Sequence, residues 1–216
     1  MTEHVKTRRR YASRRRAEQA EQTRHDILAA AGVLFRERGY GVPMTDIAAR
    51  AGVVVETVYR IFGSKPGLFT AAVEALLAGG ASRAEVPVEE RPVIRAIHDE
   101  PDPRKQVGLY VATQPGIHRR AGPLLRALRD AKASDPELGR LWEQLEAWRL
   151  DGQGRFVGML AERGVLRPGL STELATDVVW TLCSLAVHDL LVIDRGWSEE
   201  RYGAWLSAVL VRELLG

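Results

Sequence analysis

From Thr23 to Leu77 single glycines cut the chain into short helical periods, and that punctuation leaves little choice of fold. Ile27, Ala31, Leu34 and Phe35 recur at helical spacing with Thr23 as a plausible N-cap, and the pattern stops at Gly39. Arg36 and Arg38 fall in the last turn, where cations complement the helix dipole. A short helix fits Pro43 to Ala51, because proline suits a first helical turn and Gly52 can supply a left-handed stop. A third, Val54 to Phe62, ends at Gly63. Ser64 then caps a fourth that starts near Lys65 and Pro66, with Leu68, Phe69, Val73, Leu76 and Leu77 on its buried side.

Gly79, Gly80 and the proline-bearing stretch from Val86 to Pro103 form the softest boundary. Beyond it, helices are expected near Val107 to Arg120, Pro123 to Ala133, Pro136 to Arg163, Thr172 to Ile193 and Ser198 to Leu215. No strand pattern of consequence appears, so the fold class is all-α. The helix at Thr172 to Ile193 is apolar nearly all round in its middle. The last helix carries Trp205, Leu206, Val209, Leu210 and Leu214 on one broad stripe. Two such surfaces exceed what one small core absorbs, which points to a homodimer formed through these last two helices. The alternative is that both are simply internal core.

Charge is divided unevenly. Residues 1–70 hold 13 Lys plus Arg against 7 Asp plus Glu, whereas residues 71–216 hold 18 against 21. A basic head on a mildly acidic body suggests a polyanionic partner for the head, and nucleic acid is the commonest. The composition, 45% hydrophobic and 27% charged, excludes collagen-like and wholly disordered classes. The basic N-terminus is followed by polar residues rather than a signal-peptide core. The charge-free stretch Val178 to His188 falls far short of the roughly 20 apolar residues of a spanning helix. A cytoplasmic protein with no membrane partner is therefore expected. The lone Cys183 excludes an intramolecular disulfide.

Function concentrates at Met44 to Phe62. A helix-turn-helix needs small residues where its helices touch, a glycine at the turn, a hydrophobe after it, and apolar anchors on the second helix. Ala48 and Ala51, Gly52, Val53, and then Val58 and Phe62 meet those needs in order. Val55, Glu56, Thr57, Tyr59 and Arg60 are left facing outward, the set a major groove could meet.

Thr23 to Phe69 resembles the DNA-binding domain of the TetR family of transcriptional repressors. The match is carried by Ile27 to Phe35, Gly39-Tyr40, Asp46-Ile47-Ala48, Ala51-Gly52-Val53, Thr57 to Phe62, and Ser64-Lys65 with Leu68-Phe69. The resemblance implies a homodimeric, all-helical repressor with an N-terminal three-helix helix-turn-helix domain. It also implies a C-terminal bundle that dimerises and holds a pocket for a small inducing ligand. On this basis Thr57 and Tyr59 contact DNA backbone or bases, Arg60 lies on the groove side, and Lys65 grips a phosphate. A lysine beside exposed helical N–H groups is also an anion site on physical grounds. The corresponding divisions are a flexible basic arm at 1–22, the DNA-binding domain at 23–70 and the ligand-binding and dimerisation domain at 71–216. Two half-sites of a near-palindromic operator would lie about 34 to 36 Å apart.

Two positions depart from the family pattern. Pro43 stands where a capping threonine is usual, and Val54 where Ser or Thr is common, so Thr45 is a substitute for the missing hydroxyl. Val54 or Val55 could read thymine methyls. Glu56 could accept from a cytosine amino group, or it could simply favour the helix dipole. Arg14, Arg15 and Arg16 of the arm are expected to attract phosphates or enter the minor groove.

Enzyme readings fare badly. Gly152-Gln153-Gly154 meets a further glycine only at Gly158, Gly63-Ser64-Lys65 lacks the earlier P-loop glycine, and the five histidines show no HExxH spacing. No metal or cofactor is implied. Tyr110, Trp142, Trp148, Trp180, Cys183 and His188 would suit an apolar effector of unknown identity with one or two polar handles. The competing reading is a helical small-molecule binding protein, or an unfamiliar enzyme, with a non-specific basic tether for nucleic acid.

Overall fold

No glycine or proline precedes Gly32, and the first 31 residues are rich in Ala, Arg, Glu and Gln, all good helix formers. The computed structural model describes residues 2–133 and 135–216. In it α1 runs Thr2–Arg38, so the helix begins at Thr2 rather than near Thr23. The expected flexible arm is continuous helix over residues 2–22, and Thr23 is no N-cap: its Oγ1 donates to the Gln19 carbonyl at 2.8 Å, one turn back. The side chains of residues 2–14, 16 and 17, and with them Arg14 and Arg16, lie outside the described residues.

The chain divides into two compact units, Met1–Glu85 and Val86–Gly216. The first contains α1, α2 (Met44–Ala51), α3 (Val55–Phe62), α4 (Lys65–Ala78) and the single turn α5 (Ala81–Ala84). It therefore takes in all of α4. Ile27, Ala31 and Phe35 of α1, Ile47 of α2, Val58 of α3 and Leu68, Phe69 and Val73 of α4 close its core. Phe35 meets Phe69 edge-on at 5.0 Å, and Tyr40 meets the same ring at 5.3 Å. Leu77, expected on the buried side of α4, is exposed. His25 Nε2 and Glu85 Oε1, 2.8 Å apart, tie α1 to the end of α5, and that hydrogen bond holds the Glu85 carboxyl below its usual range.

The second unit contains a 3₁₀ turn at Val88–Glu90, then α6 (Pro92–Asp99), α7 (Pro103–Ala112), α8 (Gln114–Ala131) and α9 (Pro136–Glu162). It closes with α10 (Thr172–Leu182), α11 (Leu185–His188), a π turn at Asp189–Asp194 and α12 (Glu199–Leu215). Its core is organised by Tyr202, Leu206, Leu210 and Leu214, which recur every fourth residue along α12 and share one apolar cluster with Val107 and Val111 of α7, Phe156, Val157 and Leu160 of α9, and Val179 of α10. Among the described residues there is no strand, and no single helix is long and apolar enough to cross a membrane.

Two expected boundaries move. The break foreseen at Gly122-Pro123 falls instead at Thr113, and Pro123 lies inside α8. Proline there removes one backbone donor opposite the Arg119 carbonyl, but both residues are exposed and water can serve that carbonyl. The buried stripe His118, Ala121, Leu124 and Leu128 carries the helix through. Conversely, the single helix expected from Thr172 to Ile193 is broken at Cys183. Ser184 adopts an extended conformation there and its Oγ accepts the Val187 N–H at 3.2 Å, starting α11 afresh.

Candidate DNA interface and ligand interior

The turn from α2 to α3 follows from its residues. Gly52 takes φ 70° and ψ 29°, a left-handed conformation that costs glycine nothing, and the Val53 N–H reaches back to the Ala48 carbonyl at 3.0 Å. Val58 is fully buried against the domain and fixes the roll of α3. Val54, 66% exposed, and Tyr59, 48% exposed, therefore project outward with Glu56 and Arg60, while Val55 and Thr57 are half-buried at the edge of the same face. Neither Pro43 nor Val54 makes a side-chain cap. Thr45 does not substitute for one: it is exposed, and its Oγ1 lies 3.5 Å from Asp46 Oδ1.

The start of α4 is built more tightly. Ser64 Oγ accepts the Gly67 N–H at 3.2 Å, and a Cβ added at Gly67 would overlap the Phe62 carbonyl oxygen. Lys65 is half-buried, its Nζ 4.7 Å from the centre of the Tyr40 ring, at the N-terminal end of α4.

A groove of roughly 700 Å³ separates α3 from the middle of α1. Val54, Thr57 and Arg60 line one wall, and Gln19, Thr23 and Arg24 the other. The Arg24 guanidinium sits 5.0 Å above the Phe62 ring. Starting the helix at Thr23 left Gln19 outside it. The uninterrupted helix formers upstream were the signal. Arg15, the one arm arginine whose side chain is described, is exposed.

In the second unit the six expected ligand residues separate. Tyr110 stacks on Phe156 with ring centres 3.9 Å apart, and Cys183 and His188 are buried. Trp148 is 40% exposed and faces away from the interior. Trp142 lies beneath Lys132 and Trp180 beneath Arg149, at 4.9 and 4.5 Å. Burial pushes the Cys183 thiol up to about 12, so it stays protonated.

His188 belongs to a polar cluster that the sequence reading did not assemble. Its ring centre is 4.3 Å from that of His118 on α8 and 5.2 Å from that of Tyr202 on α12, and its Nε2 lies 3.3 Å from Glu199 Oε1. Burial, reinforced by His188, lowers His118 to about 3 and keeps it neutral. Beside the cluster Asp189 accepts Arg126 at 2.7 and 2.9 Å and Arg129 at 3.3 Å. Although burial pushes the Asp189 carboxyl up, the hydrogen bonds and charge of Arg126 hold it below the usual range. His118 was legible as a polar residue on the α8 apolar stripe, but the break expected at Gly122 obscured that stripe.

Residues 27–72 match the family model described as bacterial regulatory proteins, tetR family. Over this segment the chain is similar to the TetR family. Over 213 residues it is 24% identical to the HTH-type transcriptional repressor BepR of Brucella suis biovar 1 (strain 1330), covering 93% of this chain and 96% of that one. Crystal structures of TetR-like fold align over most of its length. NalD, the secondary repressor of the MexAB-OprM multidrug efflux pump in Pseudomonas aeruginosa, gives a TM-score of 0.64 at 22% identity, over 91% of this chain and 97% of NalD. The transcriptional regulator FadR from Bacillus subtilis, in complex with stearoyl-CoA, gives 0.65 at 17% identity, over 87% and 97%. The matched TetR segment spans the C-terminal part of α1, all of α2 and α3, and the first half of α4.

Proposed function

We propose that this protein is a ligand-responsive transcriptional repressor that binds a near-palindromic operator as a homodimer. The observation that carries this reading is the α2–α3 pair: a buried Val58 turns Val54, Glu56, Tyr59 and Arg60 outward on a helix of the size a major groove admits. Thr57 and Tyr59 contact backbone or bases, Arg60 reads the groove, and Lys65 and Thr45 take phosphates. Val54 and Val55 favour thymine methyls, and Glu56 accepts from a cytosine amino group. The basic run Arg14, Arg15 and Arg16 adds phosphate attraction.

Dimerisation through α10 and α12 is supported by an apolar strip of Leu174, Val178, Leu182 and Val209, with Leu174 half-exposed. The repressor names of BepR and NalD support repression, and the stearoyl-CoA complex of FadR supports a ligand held within the bundle. An effector acts by binding the DNA-incompetent arrangement of the dimer more tightly than the competent one.

The test is selection of binding sites from random duplex DNA, followed by anisotropy titration of the selected site and a scrambled control at two salt concentrations. A palindrome bound about 10³-fold or more tighter than the scramble is expected. Equal, steeply salt-dependent binding to both would reduce the head to an electrostatic tether and refute the reading.

A further inference from the structure

Among the described residues, the buried side-chain polar atoms that lack a hydrogen-bond partner are His118 Nδ1, Gln153 Oε1, His188 Nδ1, Glu199 Oε2 and Tyr202 Oη. All belong to the second unit, and those of His118, His188, Glu199 and Tyr202 fall in one cluster. His118 hydrogen-bonds the Cys183 backbone, and Gln153 is bonded to Tyr110. His118 and Gln153 are each 5% exposed, His188 3% and Tyr202 0%. Leaving one such group unpaired costs about 1 to 3 kcal/mol, so a concentration of them in one interior calls for a shared cause.

The hydrogen-bonding character of the set defines a complement. Neutral His118 has one N–H, directed at the Cys183 backbone, so its Nδ1 is an acceptor. Glu199 Oε1 accepts from His188 Nε2, and Oε2 is a second carboxylate acceptor. His188 Nδ1 lies 3.5 Å from Asp189 Oδ1 without hydrogen-bonding it, and Asp189 is already neutralised by Arg126 and Arg129. Tyr202 Oη can donate or accept. The cluster thus has a surplus of acceptors and one carboxylate whose second oxygen has no cation. The rings of His118, His188 and Tyr202 lie together at mutual centroid separations of 4.3 to 6.1 Å. The Glu199 side chain is 38% exposed and connects the cluster to the surface at the start of α12.

We infer that this cluster is the recognition site for the polar end of an organic cation that carries N–H donors, a primary or secondary ammonium or an amidinium on an apolar body. Glu199 supplies the counter-charge, and His118 and Tyr202 take N–H bonds. The inference rests on the ligand-responsive reading above and names the class of effector.

The experiment is calorimetric titration of the full chain, without DNA, with a matched panel: hexylamine, benzylamine and benzamidine, their neutral alcohol or amide counterparts, and hexanoate. At least one cation should bind at least about tenfold more tightly than its neutral counterpart, and Glu199→Gln should remove that advantage. Tyr202→Phe, which removes only the hydroxyl, should weaken the same cation while leaving the thermal midpoint unreduced. Binding that ignores charge, binding by hexanoate alone, binding by none of the panel, or full affinity in Glu199→Gln would overturn the inference. Operator selection needs no ligand, so the regulatory reading can stand when this one fails. A cation that binds by Glu199 but does not release the operator would confirm the site and remove its effector role.

Discussion

Acid should destabilise the second unit through His118. Folding lowers the pKa of this imidazole from 6.5 to about 3, chiefly by burial, so the unfolded chain binds a proton that the folded chain refuses. Stability from this group is complete above about pH 6.5 and is lost as pH falls from there toward the folded pKa of about 3. At about 1.36 kcal/mol for each pH unit traversed, moving from about pH 7 to about pH 4.5 removes roughly 2.5 kcal/mol. His118→Phe keeps a ring on the α8 stripe and deletes the titration. The assay is urea unfolding of both chains at the two pH values and one fixed protein concentration, because dimer stability depends on concentration. The native chain should lose roughly 2 to 3 kcal/mol more than the variant. Equal losses in the two would show that His118 is solvated or paired in the folded protein, and the burial argument would be wrong.

Three further outcomes follow from the geometry. Ser64→Ala deletes the cap on Gly67 and should lower stability by about 1 kcal/mol, whereas Gly67→Ala forces a Cβ onto the Phe62 carbonyl and should cost roughly 1 to 3 kcal/mol; thermal unfolding should rank them in that order. Tyr59→Ala should weaken the selected operator about 10- to 100-fold with little change in thermal midpoint, since the ring is half-exposed; anisotropy showing undiminished selectivity would remove Tyr59 from the reading face. Leu174→Arg places charge on the exposed apolar strip of α10 and should shift the protein to monomer in sedimentation velocity, and a persistent dimer would place the interface elsewhere.

The DNA-binding head was largely readable from its residues because its constraints are local. Gly52 and Gly63 stop helices wherever they stand, Ser64 caps whatever helix follows it, and four-residue spacing alone turns Val58 inward and Tyr59 outward. Local rules misjudged the second unit where tertiary packing overrode them. Pro123 reads as a stop, yet the buried face of His118, Ala121, Leu124 and Leu128 holds α8 straight through it. Thr172 to Ile193 reads as one helix, yet Ser184 breaks it. The ligand residues fared likewise: aromatic content singled out Trp142, Trp148 and Trp180, which lie beneath cations or face outward.

What the sequence determined by itself was the all-helical class, the helix-turn-helix and the outward placement of Glu56, Tyr59 and Arg60 on α3, because helical periodicity and glycine stops act within a few residues. Only the tertiary structure decided that His118 on α8, His188 on α11 and Glu199 and Tyr202 on α12 share one interior. Those residues are up to 84 positions apart between His118 and Tyr202, and no local propensity links them. Their meeting depends on how three helices pack, which is set by the sum of many weak apolar contacts rather than by any residue's own preference.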